Sequence, residues 1–233
     1  MDSLNISRHI SGQFNEDLER IINLVMQMGG LVEKQLSEAL QSVSEGDEDL
    51  AKKVFSNDYQ VNNLEVVIDE ECTRLIAKRQ PAAGDLRLVM AIIKTIADLE
   101  RIGDEAKKIA NVTMQSLSSK HKDLLLNLDN LGRRVLEGLQ LTLDAFTRMD
   151  VDAALKIHQT DEKIDREYEA LMRQLMTYMM EDPRSIPEVM AVIWSARALE
   201  RIGDRSQNVC EYIIYFVKGK VVRHTSPAEM KKI

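Results

Sequence analysis

Leu99–Asp104 reads LERIGD, and Leu199–Asp204 reads LERIGD again in a chain of 233 residues. Each copy lies in a run whose apolar residues recur at three- and four-residue steps. In the first, these are Leu88, Ile92, Ile96, Leu99, Ile102 and Ile109, the spacing of one apolar helix face. Ahead of the hexapeptide, VMA at Val89–Ala91 recurs at Val189–Ala191, keeping the offset of 100. Further upstream the offset becomes 103. Gly29, Val32, Leu36, Leu40 and Val43 fall on Gly132, Val135, Leu139, Leu143 and Phe146, and Asp47, Lys53 and Asp58 fall on Asp150, Lys156 and Asp161. A three-residue deletion near the turn, RQPAAGD in one half and EDPRSIP in the other, accounts for the change. Self-similarity on this scale means two copies of one supersecondary unit. The expected fold is all-α: two tandem antiparallel three-helix bundles, six long helices in all, over residues 1–118 and 119–233.

The first half shows where the helices break. A stripe from Leu18 through Ile21, Ile22, Val25, Met28, Val32, Leu36, Leu40 and Val43 marks helix one, over about Phe14 to Ser44. Gly46 and Asp47 supply a stop and a cap for helix two, whose stripe is Leu50, Val54, Val61, Leu64, Ile68 and Leu75. Helix two ends at RQPAAGD. Helix three begins near Asp85, where that acid can cap free N–H groups, and runs out in the polar stretch QSLSSKHKD. Aromatics at 4%, with only 4 prolines, agree with long helices rather than sheets.

Charge and composition narrow the function. A net charge of -7, without a basic stripe interleaved with aromatics, repels phosphate backbones, so nucleic acid is not an expected partner. Two distant cysteines, Cys72 and Cys210, suggest neither a disulfide framework nor a thiolate zinc site and fit a reducing cytoplasm. The first residues lack an apolar signal core, and runs such as VMAIIKTIADLE meet a charge long before they could span a bilayer. A soluble cytoplasmic chain is expected.

Within each hexapeptide, glutamate and aspartate four residues apart stand one above the other on a helix, as Glu100 with Asp104 and Glu200 with Asp204. Like charges so placed repel by roughly 0.2–0.5 kcal/mol. Arg101 and Arg201 project about 100° away from the adjacent glutamates, a poor position from which to neutralise both acids. If helices two and three are antiparallel about a turn near residue 82, Asp58 and Asn62 come level with the Glu100–Asp104 step. In the second half the same reasoning sets Asp161 and Asp165 beside Glu200 and Asp204. Four oxygen-bearing side chains thus converge in each half. Oxygen-only clusters suit Mg, Mn or Fe, with carboxylate-bound Zn also open. Asp58, Asn62, Glu65 and Asp69 share one helix face, but Tyr168 and Met172 replace the lower two acids in the second copy. A solvated acidic face is the plain alternative. Asn62 carries no charge, so the first site is expected to hold its ion less tightly.

No catalytic residue emerges. His9, His121, His158 and His224 are scattered, none three residues after a glutamate, which disfavours a di-iron bundle. No serine or cysteine has a nearby histidine, and no phosphate-binding loop occurs. Gly29-Gly30 reads as a close helix contact. Met26, Met28, Met90, Met172, Met176, Met179, Met180 and Met190 read as core filler. The turn residues Asp85 and Arg87, with Arg184 in the matching turn, are candidate partner contacts, because exposed turns of mixed charge often carry recognition.

The duplicated LERIGD, the turn RQPAAGDLR, the stretch DYQVNNLEVVIDEECTRLIAKRQP and the ending ERIGDRSQNVCEYIIYFVKG together resemble the PhoU family of bacterial phosphate-signalling regulators. The resemblance extends from MDSLN to about Arg223. It implies a cytoplasmic, often dimeric, two-fold repeat of a three-helix bundle. It further implies E(D)xxxD motifs that bind metal clusters in some members, here Glu100 with Asp104, Glu200 with Asp204, and Asp161 with Asp165. The implied function is negative regulation of the phosphate regulon and phosphate uptake. The implied partners are the phosphate ABC transporter's ATPase and the sensor histidine kinase, through which alone the chain reaches the membrane. A carboxylate-cluster metalloprotein with hydrolytic or metal-storage activity is the alternative, and a plain scaffold with a solvated acidic face is a third.

Overall fold

The computed structural model describes residues 12–114, 122–223 and 225, with the side chains of 12–13, 122–124 and 159–162 outside the description. Six helices follow one another: α1 Gly12–Glu45, α2 Glu48–Arg79, α3 Ala83–Thr113, α4 Lys122–Arg148, α5 Val151–Glu181 and α6 Ile186–Lys218. No strand occurs among the described residues. The expected boundary between residues 118 and 119 lies outside them.

Both copies begin their second helix in the same way. Asp47 and Asp150 are the N-caps of α2 and α5, each carboxylate accepting from a backbone N–H at 2.9 Å, of Leu50 and Ala153 respectively. Such a cap contributes about 1 kcal/mol. The preceding residue turns left-handed in both copies. In the first it is Gly46, at φ 68°, and in the second it is Met149, at φ 49°, a conformation that glycine adopts at less cost. The start of α3 differs from expectation: it begins at Ala83, its N-cap Ala82 makes no side-chain bond, and Asp85 falls on the third helical residue. An acid there faces the positive end of the helix without being the cap. In the second half a short 3₁₀ turn, Pro183–Ser185, precedes α6, with Arg184 N–H bonded to Asp182 at 3.0 Å.

Ion pairs fix the directions. Lys53 meets Glu38 at 2.7 Å and Arg79 meets Asp17 at 3.3 Å, so α1 and α2 are antiparallel. Arg134 meets Glu167 at 2.8 Å across the antiparallel pair α4 and α5. The halves join through α3 and α6, the most extensive helix pair. These run antiparallel, with Arg205 on Asp98 at 2.9 Å and Arg201 on Glu105 at 3.2 Å. Leu99, Ile102, Leu199 and Ile202 are fully buried near this crossing. The apolar half of each hexapeptide therefore holds the two repeats together, each side chain contributing about 1.5–3 kcal/mol on burial.

The α1–α4 contact is reciprocal. A β-carbon on Gly29 would stand 2.7 Å from Leu143 Cδ2, and one on Gly132 would stand 2.2 Å from Leu40 Cδ2. Each glycine admits the other repeat's leucine. Gly30 has open space around it, so the close contact expected of the glycine pair belongs to Gly29 alone. The helix-one stripe is buried throughout, whereas Leu50 is only half-buried. The methionine expectation needs correction. Met28 is in the core, but Met90 on α3 and Met176 and Met180 on α5 are exposed, because they stand off the apolar stripes of those helices.

Candidate functional site

The first-half acids meet as the helix register predicts, but a cation of the chain's own is already among them. Asp58 on α2 is buried, and Lys107 Nζ on α3 reaches its Oδ2 at 2.6 Å and Asp104 Oδ1 at 2.7 Å. Gln35 Nε2 on α1 donates to Asp58 Oδ1 at 3.0 Å, and Asn62 Nδ2 donates to Oδ2 at 3.2 Å. Asn62 was expected to offer its oxygen; here its amide nitrogen supports Asp58 instead. Gly103 leaves the room this arrangement needs, since a β-carbon there would stand 3.1 Å from Gln35 Oε1 and 3.6 Å from Asp58 Oδ1.

Charge still accumulates on the outer side of this cluster. Burial first, then Asp104, Glu65 and Asp58, push the Glu100 carboxyl above its ordinary range, with Lys107 opposing. Glu65 is raised as well, by burial and then by Asp69. Burial lowers the Lys107 ammonium, but its bonds to Asp104 and Asp58 outweigh that and raise it overall. Sequence reasoning passed over Lys107, although it stands three residues beyond Asp104, one turn from the acids.

In the second half Glu200, Asp204 and Asp165 come together. Burial and the Asp204 charge raise Glu200, with Asp165 adding to the effect. Burial and the Asp165 charge raise Asp204. The position equivalent to Lys107 is Gln207, so no ammonium occupies this cluster from α6. Arg197, bonded to the Tyr168 hydroxyl and close to Glu200, offsets the charge from outside. Asp161 lies on α5, and its side chain is outside the description. Among the described residues, no group of three or more His, Cys, Asp or Glu side chains is arranged to hold a metal ion. The donor chemistry of a hard cation is thus ill served in the first half, where Lys107 fills the place. In the second half no lysine takes that place, and Glu200 and Asp204 both hold their protons more tightly than usual.

The turn residues do not form one surface. The Arg87 guanidinium lies against Gly219 at the C-terminus of α6, its Cζ 3.7 Å from where a β-carbon would stand, and its Nε is buried without a partner. This gives Arg87 a packing role, its charge facing the negative end of α6. Arg184, exposed in the second turn, stands at the other end of the antiparallel α3–α6 pair. Cys72 and Cys210 are buried, and burial pushes both thiols up to about 12, which leaves them unreactive. No described helix is long and apolar enough to cross a membrane.

A duplicated helical bundle with buried thiols and a carboxylate cluster in each half defines a class of two-fold helical repeat proteins. The PhoU domain model matches residues 25–113 and again 128–213. The phosphate-specific transport system accessory protein PhoU of Escherichia coli K12 is 55% identical over 100% of this chain and 97% of its own length. The corresponding protein of Pseudomonas aeruginosa is 46% identical over 98% and 95%. The crystal structure of PhoU from Pseudomonas aeruginosa superposes with a TM-score of 0.84, covering 89% of this chain and 100% of that one at 46% identity. That of the phosphate transport system regulatory protein PhoU from Streptococcus pneumoniae gives 0.82 at 31% identity, covering 90% and 99%. The chain belongs to the PhoU family. The relatives bear the names of accessory and regulatory proteins of phosphate transport rather than the names of enzymes.

Proposed function

We propose that this chain is a negative regulator of phosphate-starvation signalling and phosphate uptake. It acts in the cytoplasm, as a homodimer, as an adapter between the phosphate ABC transporter's ATPase and the sensor histidine kinase. The observation that carries the reading is the match, over its full length, to relatives named as accessory proteins of the phosphate-specific transport system. A binder that catalyses nothing exerts influence only by favouring one state of a partner over another. The chain therefore favours the kinase-inactive or phosphatase-competent state of the sensor when phosphate is plentiful. Deleting its gene should switch phosphate-starvation genes on in phosphate-rich medium, read with a promoter fusion. Normal repression and normal phosphate uptake in the deleted strain would sink the adapter reading. Partner contacts at Asp85 and Arg184 belong to it: Arg184→Ala should lose repression at an unchanged melting temperature, and Asp85→Asn should lose more repression than its small loss of helix-end stabilisation explains.

A second reading concerns the second-half acids. Glu200, Asp204 and Asp165, with Asp161 on the same helix as Asp165, form the donor set for a divalent or multinuclear metal, Fe, Mn, Mg or Zn. The replacement of Lys107 by Gln207 supports it, because no ammonium from α6 stands between these carboxylates and the arginines Arg197 and Arg201 act on them only through space. Elemental analysis of protein purified without chelator tests it, and metal-free protein would count against it. At the first-half positions, Glu100, Asp104, Asp58 and Asn62, the Lys107 ammonium takes the cation's part.

A further inference from the structure

The two repeats differ where α3 crosses α6, and the difference leaves one groove open. Between the C-terminal half of α3 and the N-terminal half of α6 lies a groove of about 620 Å³, with Phe55 of α2 at one side. Its floor is small and apolar, Val112, Ala191 and Ala198. The chain's single tryptophan, Trp194, stands in it 62% exposed, and Phe55 is 42% exposed. Lys107, Lys108, Arg197 and Arg201 rim it with Asp104 and Glu105, so cations outnumber acids along its edge. Glu105 takes Lys108 at 2.9 Å and Arg201 at 3.2 Å on a single oxygen, and both cations keep about half of their side chains in solvent, 54% and 46%.

At the equivalent place in the other repeat, the same helix positions carry side chains that satisfy one another. Lys94 stands where the first groove has Trp194, and its ammonium lies 5.6 Å from the ring centres of Tyr212 and Tyr215. Asp98 replaces Ala198. It is buried, and it accepts from Arg205 at 2.9 Å, Tyr212 at 2.9 Å and Asn208 at 3.5 Å. One copy thus closes this junction with its own ions and rings, while the other leaves its tryptophan, and about half of the Lys108 and Arg201 side chains that share Glu105, facing solvent.

We propose that the Trp194 groove is the docking surface for an acidic, apolar-anchored segment of a partner protein. The inference rests on the adapter reading, for which it supplies a surface. Exposed tryptophan flanked by arginine is the composition of an interface hot spot. A basic rim on a chain of net charge -7 selects for acidic segments against the rest of its own surface. Two antiparallel helices with small residues between them offer the length for a segment laid along the groove.

The test measures binding of the full chain to the purified transporter ATPase and, separately, to the cytoplasmic part of the sensor kinase, with Trp194→Ala, Arg197→Ala and a distant control, Arg173→Glu. Arg197→Ala introduces the residue of the other repeat, Ala97. We expect the tryptophan variant to weaken binding to one of these proteins about 30-fold at unchanged helicity and melting temperature, and the arginine variant to weaken it by a smaller factor at unchanged helicity, with the control at wild-type affinity. The lone tryptophan, labelled with fluorine, should shift its single resonance when that partner is added. Wild-type binding that both variants retain would overturn the groove and leave the adapter reading standing. Failure of the wild type to bind either protein would remove the adapter reading and this proposal with it. Loss of self-association in sedimentation, with partner binding intact, would reassign the groove to a contact between copies and overturn the proposal.

Discussion

Lys107 and Asp58 make a 2.6 Å contact, Nζ to Oδ2, in which the acid is buried and the lysine side chain keeps 25% of its surface in solvent. The same ammonium holds Asp104 at 2.7 Å. Removing it leaves a buried carboxylate with two amides and no charge partner. Lys107→Gln, which installs the residue of the second copy, should cost about 1–3 kcal/mol, less than a fully buried pair because the lysine is partly solvated. Thermal melts in chelator measure this. Added Mg²⁺ or Mn²⁺ should restore part of the loss, since the acids would then accept an outside cation, and no response to either ion would show that Lys107 is purely structural.

Glu200 and Asp204 both bind protons above their ordinary values of 4.5 and 3.8. As pH rises through the interval between those values and the raised ones, the folded chain holds these protons longer than the unfolded chain. Stability contributed by the cluster must therefore fall with rising pH across that interval. Glu200→Gln should flatten the slope and, at pH 7 in chelator, stabilise by roughly 0.2–0.5 kcal/mol through relief of the repulsion with Asp204. The comparison of wild type with variant, melted over a pH series, isolates the effect from other carboxylates. A variant less stable than wild type at neutral pH would contradict it.

Bound metal should follow the second repeat. Replacing Glu200 and Asp204 by Gln and Asn keeps shape and packing while removing both charges, so the fold should persist and any divalent cation should be lost. Calorimetric titration with Mn²⁺ separates the halves. Glu100→Gln with Asp104→Asn should change metal affinity far less, because Lys107 already neutralises that side.

The α1–α4 contact makes a prediction about stability alone. Gly132→Ala drives a β-carbon into Leu40 and should destabilise by about 1–2 kcal/mol despite the better helix propensity of alanine. Gly30→Ala meets nothing within 4 Å and should stabilise by up to about 1 kcal/mol. Denaturant melts give both, and equal effects would mean that α1 and α4 approach less closely than the reciprocal glycines require.

The sequence determined the six helices, their order and their duplication, because those follow from local rules: apolar spacing, an aspartate cap before α2 and α5, and breaks at Gly46 and the proline turns. It also placed Asp58 beside Asp104 and Asp165 beside Glu200, since a hairpin of two regular helices fixes which residues share a level. Where helix three is capped was less legible, for Asp85 in a Pro-Ala-Ala-Gly-Asp turn looks like a cap until the backbone shows the helix starting at Ala83. Only the tertiary structure decided which cation serves each cluster. Lys107 is a charged residue with no apolar neighbour pattern to mark it, and its contact with the buried Asp58 follows from how α2 packs on α3, with Gln35 of α1 on the other oxygen of the same carboxylate. The same holds for α3 against α6. Trp194 and Asp98 occupy similar helix faces in the sequence, yet one ends in open solvent and the other in a three-donor network, because long-range packing sets what stands opposite each side chain, and no local pattern encodes that.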